Sequence, residues 1–142
     1  RMLEEVRQKA SGSLLAFAAQ QYLAFLAYKE GRHKDGYELL LPIKAHLADD
    51  SLCILHELAA EEKNYPLVAE LSAHCYQVEP GQKMALNNAR AFAYQHQAKP
   101  AGGWLQTAWQ FGGLNLQTIL EEEEFQVLKE NPVFKEFIND LQ

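Results

Sequence analysis

The chain has 142 residues, 48% of them hydrophobic, and a formal net charge of -6 from 13 Lys plus Arg against 19 Asp plus Glu. This length and this hydrophobic share suffice for one folded domain with a core, and they argue against disorder. An acidic chain without a basic cluster is a poor match for nucleic acid or an anionic membrane, and no apolar run approaches the ~20 residues that span a bilayer.

The start of the chain and its two cysteines indicate its setting. Because the chain begins at Arg1 and not at Met, we expect it to be a fragment or a processed product. Cys53 and Cys75 are too few for a disulfide framework, and Cys75 lies in an apolar helical stripe. We therefore expect two buried thiols, a pattern that leans towards the cytoplasm.

Apolar residues recur at helical spacing along the whole chain, with Gly, Pro and N-capping residues between the apolar stretches. No segment alternates with the period of a strand. The predicted helices cover residues 3–9, 14–28, 34–47, 52–62, 65–79, 83–96, 99–112, 119–129 and 132–141.

In the first third of the chain, small residues and proline set the helix boundaries. Ser11, Gly12 and Ser13 interrupt the pattern, and Ser13 is a suitable N-cap for the helix that follows. That helix is apolar over much of its circumference, which predicts burial on two sides. Gly31 should end it, and Pro42 should bend the next helix because proline removes a backbone hydrogen bond.

Later boundaries carry capping residues. Asn64 and Asn131 each precede a proline and should cap the helices that follow them. Thr118 and Glu121 have the spacing of a capping box. The acidic run 121–124 is predicted to be a solvated first helical turn, which the helix dipole stabilises.

The helices form pairs with a regular offset. His33 and Tyr65 each follow a turn and lie 32 residues apart, and Ala48 and Pro80, at the ends of two hairpins, are also 32 apart. The offset predicts a single domain, 1–142, with hairpins at roughly 14–48, 49–81 and 82–113.

This pattern resembles the tetratricopeptide repeat (TPR), whose period is about 34 residues. Small and bulky residues fill most of the TPR slots, although His56 and Arg90 stand where the motif has a small residue. The tail resembles the unit that closes many bacterial arrays of this family, through Trp104, Leu105, Ala108, Phe125, Leu128, Asn131, Pro132 and Phe134. The resemblance implies an all-α fold of antiparallel helical hairpins, stacked as a short right-handed solenoid with a C-terminal capping unit at 114–142. Because this unit comes last, we expect the chain to be the C-terminal part of a larger protein.

In TPR proteins the first helix of each hairpin lines a concave groove that binds a peptide or protein segment. The resemblance places Gln21, Phe25, Tyr28, Cys53, Glu57, Ala60, Asn87, Ala91 and Tyr94 on that face. The alternative for Phe25 and Tyr28 is packing beneath the N-terminal helix at 3–9. The best-known variant clamps a C-terminal carboxylate with Lys, Arg and Asn. Here Gln21, Asp50 and Met84 occupy such slots, so we do not expect a clamp for chaperone tails.

The sequence offers little for catalysis or metal binding. Cys53, His56, His74 and Cys75 are zinc-ligand types, but adjacent His74 and Cys75 would point about 100° apart on a helix. We therefore expect no metal and no cofactor. Neither a nucleophile elbow nor a phosphate-binding loop is present, so the chain is not predicted to be an enzyme.

The function predicted from the sequence is a non-catalytic protein–protein interaction module whose partner is a protein or peptide. Two alternatives stay open. One is an accessory substrate-binding or regulatory domain of a larger enzyme, for example in a protease or chaperone system. The other is a self-associating scaffold, in which exposed apolar surface drives homo-oligomer formation.

Overall fold

The computed structural model describes the backbone of residues 2–142 and the side chains of residues 15–142. Within this part of the chain the protein consists of nine α-helices and one 3-10 helix, with no β-strand, which confirms the all-helical prediction. The helices are α1 (Met2–Lys29), α2 (His33–Leu40), a 3-10 helix (Leu41–His46), α3 (Asp49–Glu61), α4 (Tyr65–Val78), α5 (Gln82–Tyr94), α6 (Ala98–Trp109), α7 (Leu116–Leu120), α8 (Glu123–Gln126) and α9 (Pro132–Leu141).

The chain divides into two compact units, Arg1–Leu58 and Ala59–Gln142. In the described part of the chain, none of the helices combines the length and the apolar character needed to cross a bilayer.

In the first unit, α1 and α2 form an antiparallel hairpin. Next to the turn, the rings of Tyr28 and His33 stack at 5.1 Å between centroids. Further from it, Gln20 Nε2 donates to the Leu39 carbonyl oxygen at 2.6 Å. The second contact lies earlier in α1 and later in α2 than the first, so the two helices run antiparallel.

Small residues let the helices of this unit approach closely. Ala24 and Ala27 are fully buried. A β-carbon at Gly36 would lie only 3.3 Å from Leu58 Cδ1 and 3.4 Å from the carbonyl oxygen of Ala24. The remainder of α1 differs from the prediction of burial on two sides, because Leu15 and Tyr22 are 68% and 63% exposed.

Two predicted boundaries in this unit change in the structure. α1 is one helix from Met2 to Lys29, without the break predicted at residues 11–13; the side chain of Ser13, the predicted N-cap, lies outside the described side chains. Two serines and a glycine cost a long helix only about 2 kcal/mol in propensity, which other helical residues can offset. Pro42 does more than bend its helix: α2 ends at Leu40 and a 3-10 helix follows, with Ile43 at φ -110° and ψ 23°.

In the second unit, α4, α5 and α6 pack in antiparallel succession. Asn88 Nδ2 donates to the Ser72 carbonyl oxygen at 3.2 Å, which joins the middle of α5 to the middle of α4. Gln82 Nε2 donates to the Ala108 carbonyl oxygen at 3.1 Å, which joins the start of α5 to the end of α6. Both donors are side-chain amides that tie a neighbouring helix by its backbone.

The same turn closes α1, α3 and α5. A residue in the left-handed region stands at the same place in each, namely Gly31 at φ 81°, Lys63 at φ 58° and His96 at φ 62°. In every turn the next amide returns to the carbonyl five residues earlier, and the left-handed residue's own amide returns to the carbonyl three residues earlier. This is the Schellman motif, recurring at intervals of 32 and 33 residues.

The last three helices cover the end of this unit. Phe125, Leu128 and Phe134 are buried in one core with Leu105 of α6 and Ala89 of α5. The predicted helix over 119–129 is wrong in one respect, because the backbone breaks at Glu122, with ψ 144°, and makes α7 and α8.

Asparagines cap α4, α7 and α9. Asn131 caps α9 as predicted, since its Oδ1 accepts from the amides of Val133 and Phe134 at 3.0 and 3.2 Å. Asn64 Oδ1 likewise accepts from the Leu67 amide at 3.4 Å. The predicted capping box at Thr118 is wrong, because Asn115 is the N-cap and accepts from the Thr118 amide at 3.1 Å.

Candidate functional site

In the first unit, the groove residues predicted on α1 differ in accessibility. Gln21 is partly buried; its Oε1 accepts from the Ala48 amide at 3.0 Å and its Nε2 donates to the Phe17 carbonyl oxygen at 3.3 Å. Both ends of this amide are therefore engaged within the unit. Phe25 is 41% exposed, and the ammonium of Lys29 lies 5.4 Å from its ring centroid.

The other predicted residues of this unit are less open. Tyr28 is half-buried against His33. The side chains at 3–9, under which it and Phe25 were alternatively expected to pack, lie outside the described residues. Cys53 is buried and Glu57 is half-buried. Phe25 is thus the predicted residue of this unit with the most surface to offer.

In the second unit, Tyr94 is the accessible member of the predicted set. Ala91 is fully buried, and Asn87 is buried with its Oδ1 accepting from Arg90 Nη1 at 3.1 Å. Tyr94 is 45% exposed, and its ring lies 5.2 Å from that of Tyr65. The two rings border a small surface pocket of about 140 Å³, which Lys63, Glu123 and Glu124 complete.

The recurring turn shows why the third set contains buried residues. Counted back from the left-handed residue, Gln21 and Cys53 correspond to Leu86, and Phe25 and Glu57 correspond to Arg90. By the same count Tyr28 and Ala60 correspond to Ala93, so the predicted Asn87, Ala91 and Tyr94 all lie one residue out of register. The same count pairs His56 with Ala89. The resemblance to the TPR motif predicted Arg90 at this small-residue position, but Ala89 occupies it.

Arg90 instead holds the acidic run. Its Nε and Nη2 donate to the two carboxylate oxygens of Glu122 at 2.6 and 3.1 Å, and the two side chains are only 26% and 30% exposed. The Tyr65 hydroxyl donates to the Glu124 carboxylate. Burial raises the pKa of Tyr65, and the bond to Glu124 raises it further. Two of the four glutamates predicted to be solvated, Glu122 and Glu124, therefore connect α8 to α5 and α4.

Two surfaces were missed by sequence reasoning. The first is the outer side of α1, where Leu15, Tyr22 and Leu23 are exposed beside Phe25. The apolar circumference of this helix was visible in the sequence, but it was interpreted as burial. The second is a pocket of about 540 Å³ among α7, α8 and α9, lined in part by Phe125 and Phe134. It depends on the break at Glu122, which the sequence did not reveal.

Among the side chains that the structure describes, no three His, Cys, Asp or Glu residues come together as metal ligands. Cys53 and Cys75 are both buried.

No protein-family model, curated protein or solved structure matches this chain. The resemblance to TPR proteins therefore remains a prediction from the sequence.

Proposed function

We propose that this chain is a non-catalytic protein–protein interaction module, a short right-handed TPR-like solenoid with a C-terminal cap. The module would bind a peptide or protein segment along the first helix of its hairpins. The recurrence of one turn at Gly31, Lys63 and His96 supports the repeat, because helical hairpins of one kind need one closing geometry. Buried small residues at Ala24 and Ala89, at the same count from the turn, also support it.

The observation that carries the binding role is exposed aromatic surface on first helices. Tyr22 and Phe25 on α1 and Tyr94 on α5 are 63%, 41% and 45% exposed. Aromatic side chains provide large contact area at low entropic cost and often contribute most of an interface's binding energy. The proposed binding residues are these accessible side chains, each within its own unit, and they leave out the buried Cys53, Asn87 and Ala91.

The charges beside Tyr94 indicate the partner. The pocket that it borders holds the carboxylates of Glu123 and Glu124 against the single ammonium of Lys63, and the whole chain carries a net charge of -6. An acidic rim attracts a cationic segment and repels a carboxylate tail. We therefore expect a partner segment that combines an apolar anchor with Lys or Arg.

A second candidate function, a self-associating scaffold, is favoured by the outer side of α1. Leu15, Tyr22 and Leu23 make an exposed apolar stripe, and such a surface drives association when a second copy can cover it. Sedimentation velocity over a concentration series separates the two functions. An interaction module for other proteins stays monomeric, whereas a scaffold shows mass increasing with concentration and losing that increase in Tyr22→Ser.

The binding experiment compares matched exposed aromatics. Intact chain is used to capture partners, and the strongest is then titrated against wild type, the Phe25→Ala/Tyr94→Ala double variant and Phe111→Ala. Phe111 is 51% exposed and follows α6. Its neighbour Gly112 accepts from Gln82 Nε2 at 2.8 Å, at the opposite end of α5 from Tyr94, so Phe111 serves as the control. The double variant should weaken binding by about 2 kcal/mol or more, with the control near wild type.

Thermal melts on the same preparations test whether the fold persists. The exposed side chains contribute little to the core, so the melting temperature of the double variant should stay close to that of wild type. Undiminished binding by the double variant, or equal weakening by Phe111→Ala, would show that the first-helix aromatics are not the site.

A further inference from the structure

The C-terminal cap contains a pocket that the proposed function does not use. It has a volume of about 540 Å³ and lies among α7, α8 and α9, within the second unit. Pockets that hold small ligands in proteins measure about 300–1,000 Å³ and combine an apolar lining with a few polar groups. This pocket therefore has the size of a small-molecule site.

The inner surface of the pocket is apolar. Phe125 and Phe134 are almost fully buried, and their rings stack at 6.0 Å between centroids with an angle of 15° between the planes. Leu120 and Ile138, both half-buried, extend this surface outwards. These four side chains form the floor of the pocket. The floor is rigid because Phe125 and Phe134 belong to the core of the second unit. Such a surface accommodates a hydrocarbon chain or ring.

Among the side chains that line the rim of the pocket, ammonium groups outnumber carboxylates. Lys129 and Lys135 stand against one side-chain carboxylate, that of Glu121. On a chain with a net charge of -6, a locally cationic rim is a departure from the average surface. Lys135 pairs at 3.1 Å with Glu130, but both side chains are exposed, at 52% and 79%. Such an exposed pair contributes little, so an incoming anion can replace Glu130.

We propose that this pocket binds a small amphiphilic carboxylate, with its hydrocarbon part on Phe125, Phe134, Leu120 and Ile138 and its carboxylate at Lys129 and Lys135. The floor accounts for the apolar part of the ligand and the rim for its anionic group. Lysine stems can cover the chain while their ammonium groups remain at the rim. The inference uses residues separate from the exposed aromatics of α1 and α5, so it can stand or fall independently of the proposed function.

The test uses three probes that share one chain length and differ in charge: octanoate, 1-octanol and octylammonium. Each is titrated into the intact, isotopically labelled protein while backbone amide resonances are recorded. Octanoate should shift the amides of α7, α8 and α9 and bind more tightly than octanol. Octylammonium should bind more weakly than octanol, because two ammonium groups oppose it.

Three variants locate the contacts. Lys129→Gln and Lys135→Gln should each weaken octanoate by about two- to five-fold and leave octanol unchanged. Ile138→Ala should weaken octanoate and octanol together. Lys99→Gln is the matched control, since Lys99 is exposed on α6 outside the pocket.

The results that would overturn the proposal are equally specific. One is an absence of saturable shifts in these helices up to about 5 mM octanoate, a concentration at which even a millimolar site would be filled. Another is equal affinity for all three probes, which would remove the role of the rim. A third is octanoate binding that Lys99→Gln weakens as much as Lys129→Gln does.

Discussion

The contact between α6 and α9 depends on the absence of a side chain at Gly102. A β-carbon built at Gly102 would lie 2.3 Å from Cδ2, 2.4 Å from Cγ and 2.9 Å from Cβ of Phe137. Carbon atoms pack favourably at about 3.5–4.0 Å, so Gly102→Ala requires a displacement of roughly 1 Å. Rotation about χ1 moves the ring of Phe137 but not its Cβ, and α9 itself must therefore shift.

The adjacent glycine provides a control of identical composition. Gly103 also lies within α6, but a β-carbon there would meet no atom within 4 Å. Alanine favours the helix over glycine by about 1 kcal/mol, so Gly103→Ala should stabilise the protein by up to that amount. At Gly102 the same gain is outweighed by overpacking, which costs about 1–3 kcal/mol and should reach its upper end because backbone must move. We expect a net loss near 2 kcal/mol.

Urea unfolding followed by circular dichroism measures the difference. The free energies of unfolding of Gly102→Ala and Gly103→Ala should differ by about 3 kcal/mol. The difference should appear as a shift in the urea midpoint, with similar m-values. Phe137→Ala removes Cγ and Cδ2 but keeps Cβ at 2.9 Å, so in that background Gly102→Ala should lose part of its penalty. Equal stability of the two glycine variants, or an undiminished penalty in the Phe137→Ala background, would refute the packing argument.

Two further predictions concern stability. Because the pKa of Tyr65 is raised above its ordinary value, the unfolded chain loses the phenolic proton at a lower pH than the folded chain does. The contribution of Tyr65 to the free energy of unfolding should be fully present below pH ~10 and fall above it, by at most about 1.4 kcal/mol per pH unit. Tyr65→Phe should flatten that fall when urea unfolding is measured at alkaline pH. Lys63→Gly and His96→Gly should each raise the free energy of unfolding in urea by about 0.5–1 kcal/mol, since the backbone at both positions is left-handed. Gly31→Ala should lower it for the same reason. A lower free energy of unfolding in Lys63→Gly or His96→Gly would contradict the turn assignment.

Features that depend on neighbouring residues were predictable from the sequence. Asn64 and Asn131 cap their helices because an asparagine oxygen can reach amides two or three residues ahead. The error at Thr118 has a local reason too, because Asn115 competes for the same amides and asparagine is the stronger cap. The helix that was predicted to begin near Ile119 accordingly begins three residues earlier.

The register of the third hairpin could not be found in this way. Of the three left-handed positions only Gly31 is a glycine, and Lys63 and His96 give no compositional sign of their conformation. Without that marker, the sequence does not decide which of the adjacent residues Ala89 and Arg90 occupies the small-residue position of the motif. The close approach of Gly102 to Phe137 was also invisible, because it joins residues far apart in the chain.

The acidic run shows how tertiary contacts change a local interpretation, and this bears on the partner. By itself, a row of glutamates at a helix start is well explained by the helix dipole. Here Arg90 and Tyr65 bind Glu122 and Glu124, while Phe125 is buried in the core, so polar and apolar contacts together hold α8 over α5. The carboxylate of Glu122 then neutralises the guanidinium of Arg90. The accessible part that remains is the ring of Tyr94 beside acidic side chains, which favours a cationic segment with an apolar anchor over a carboxylate tail.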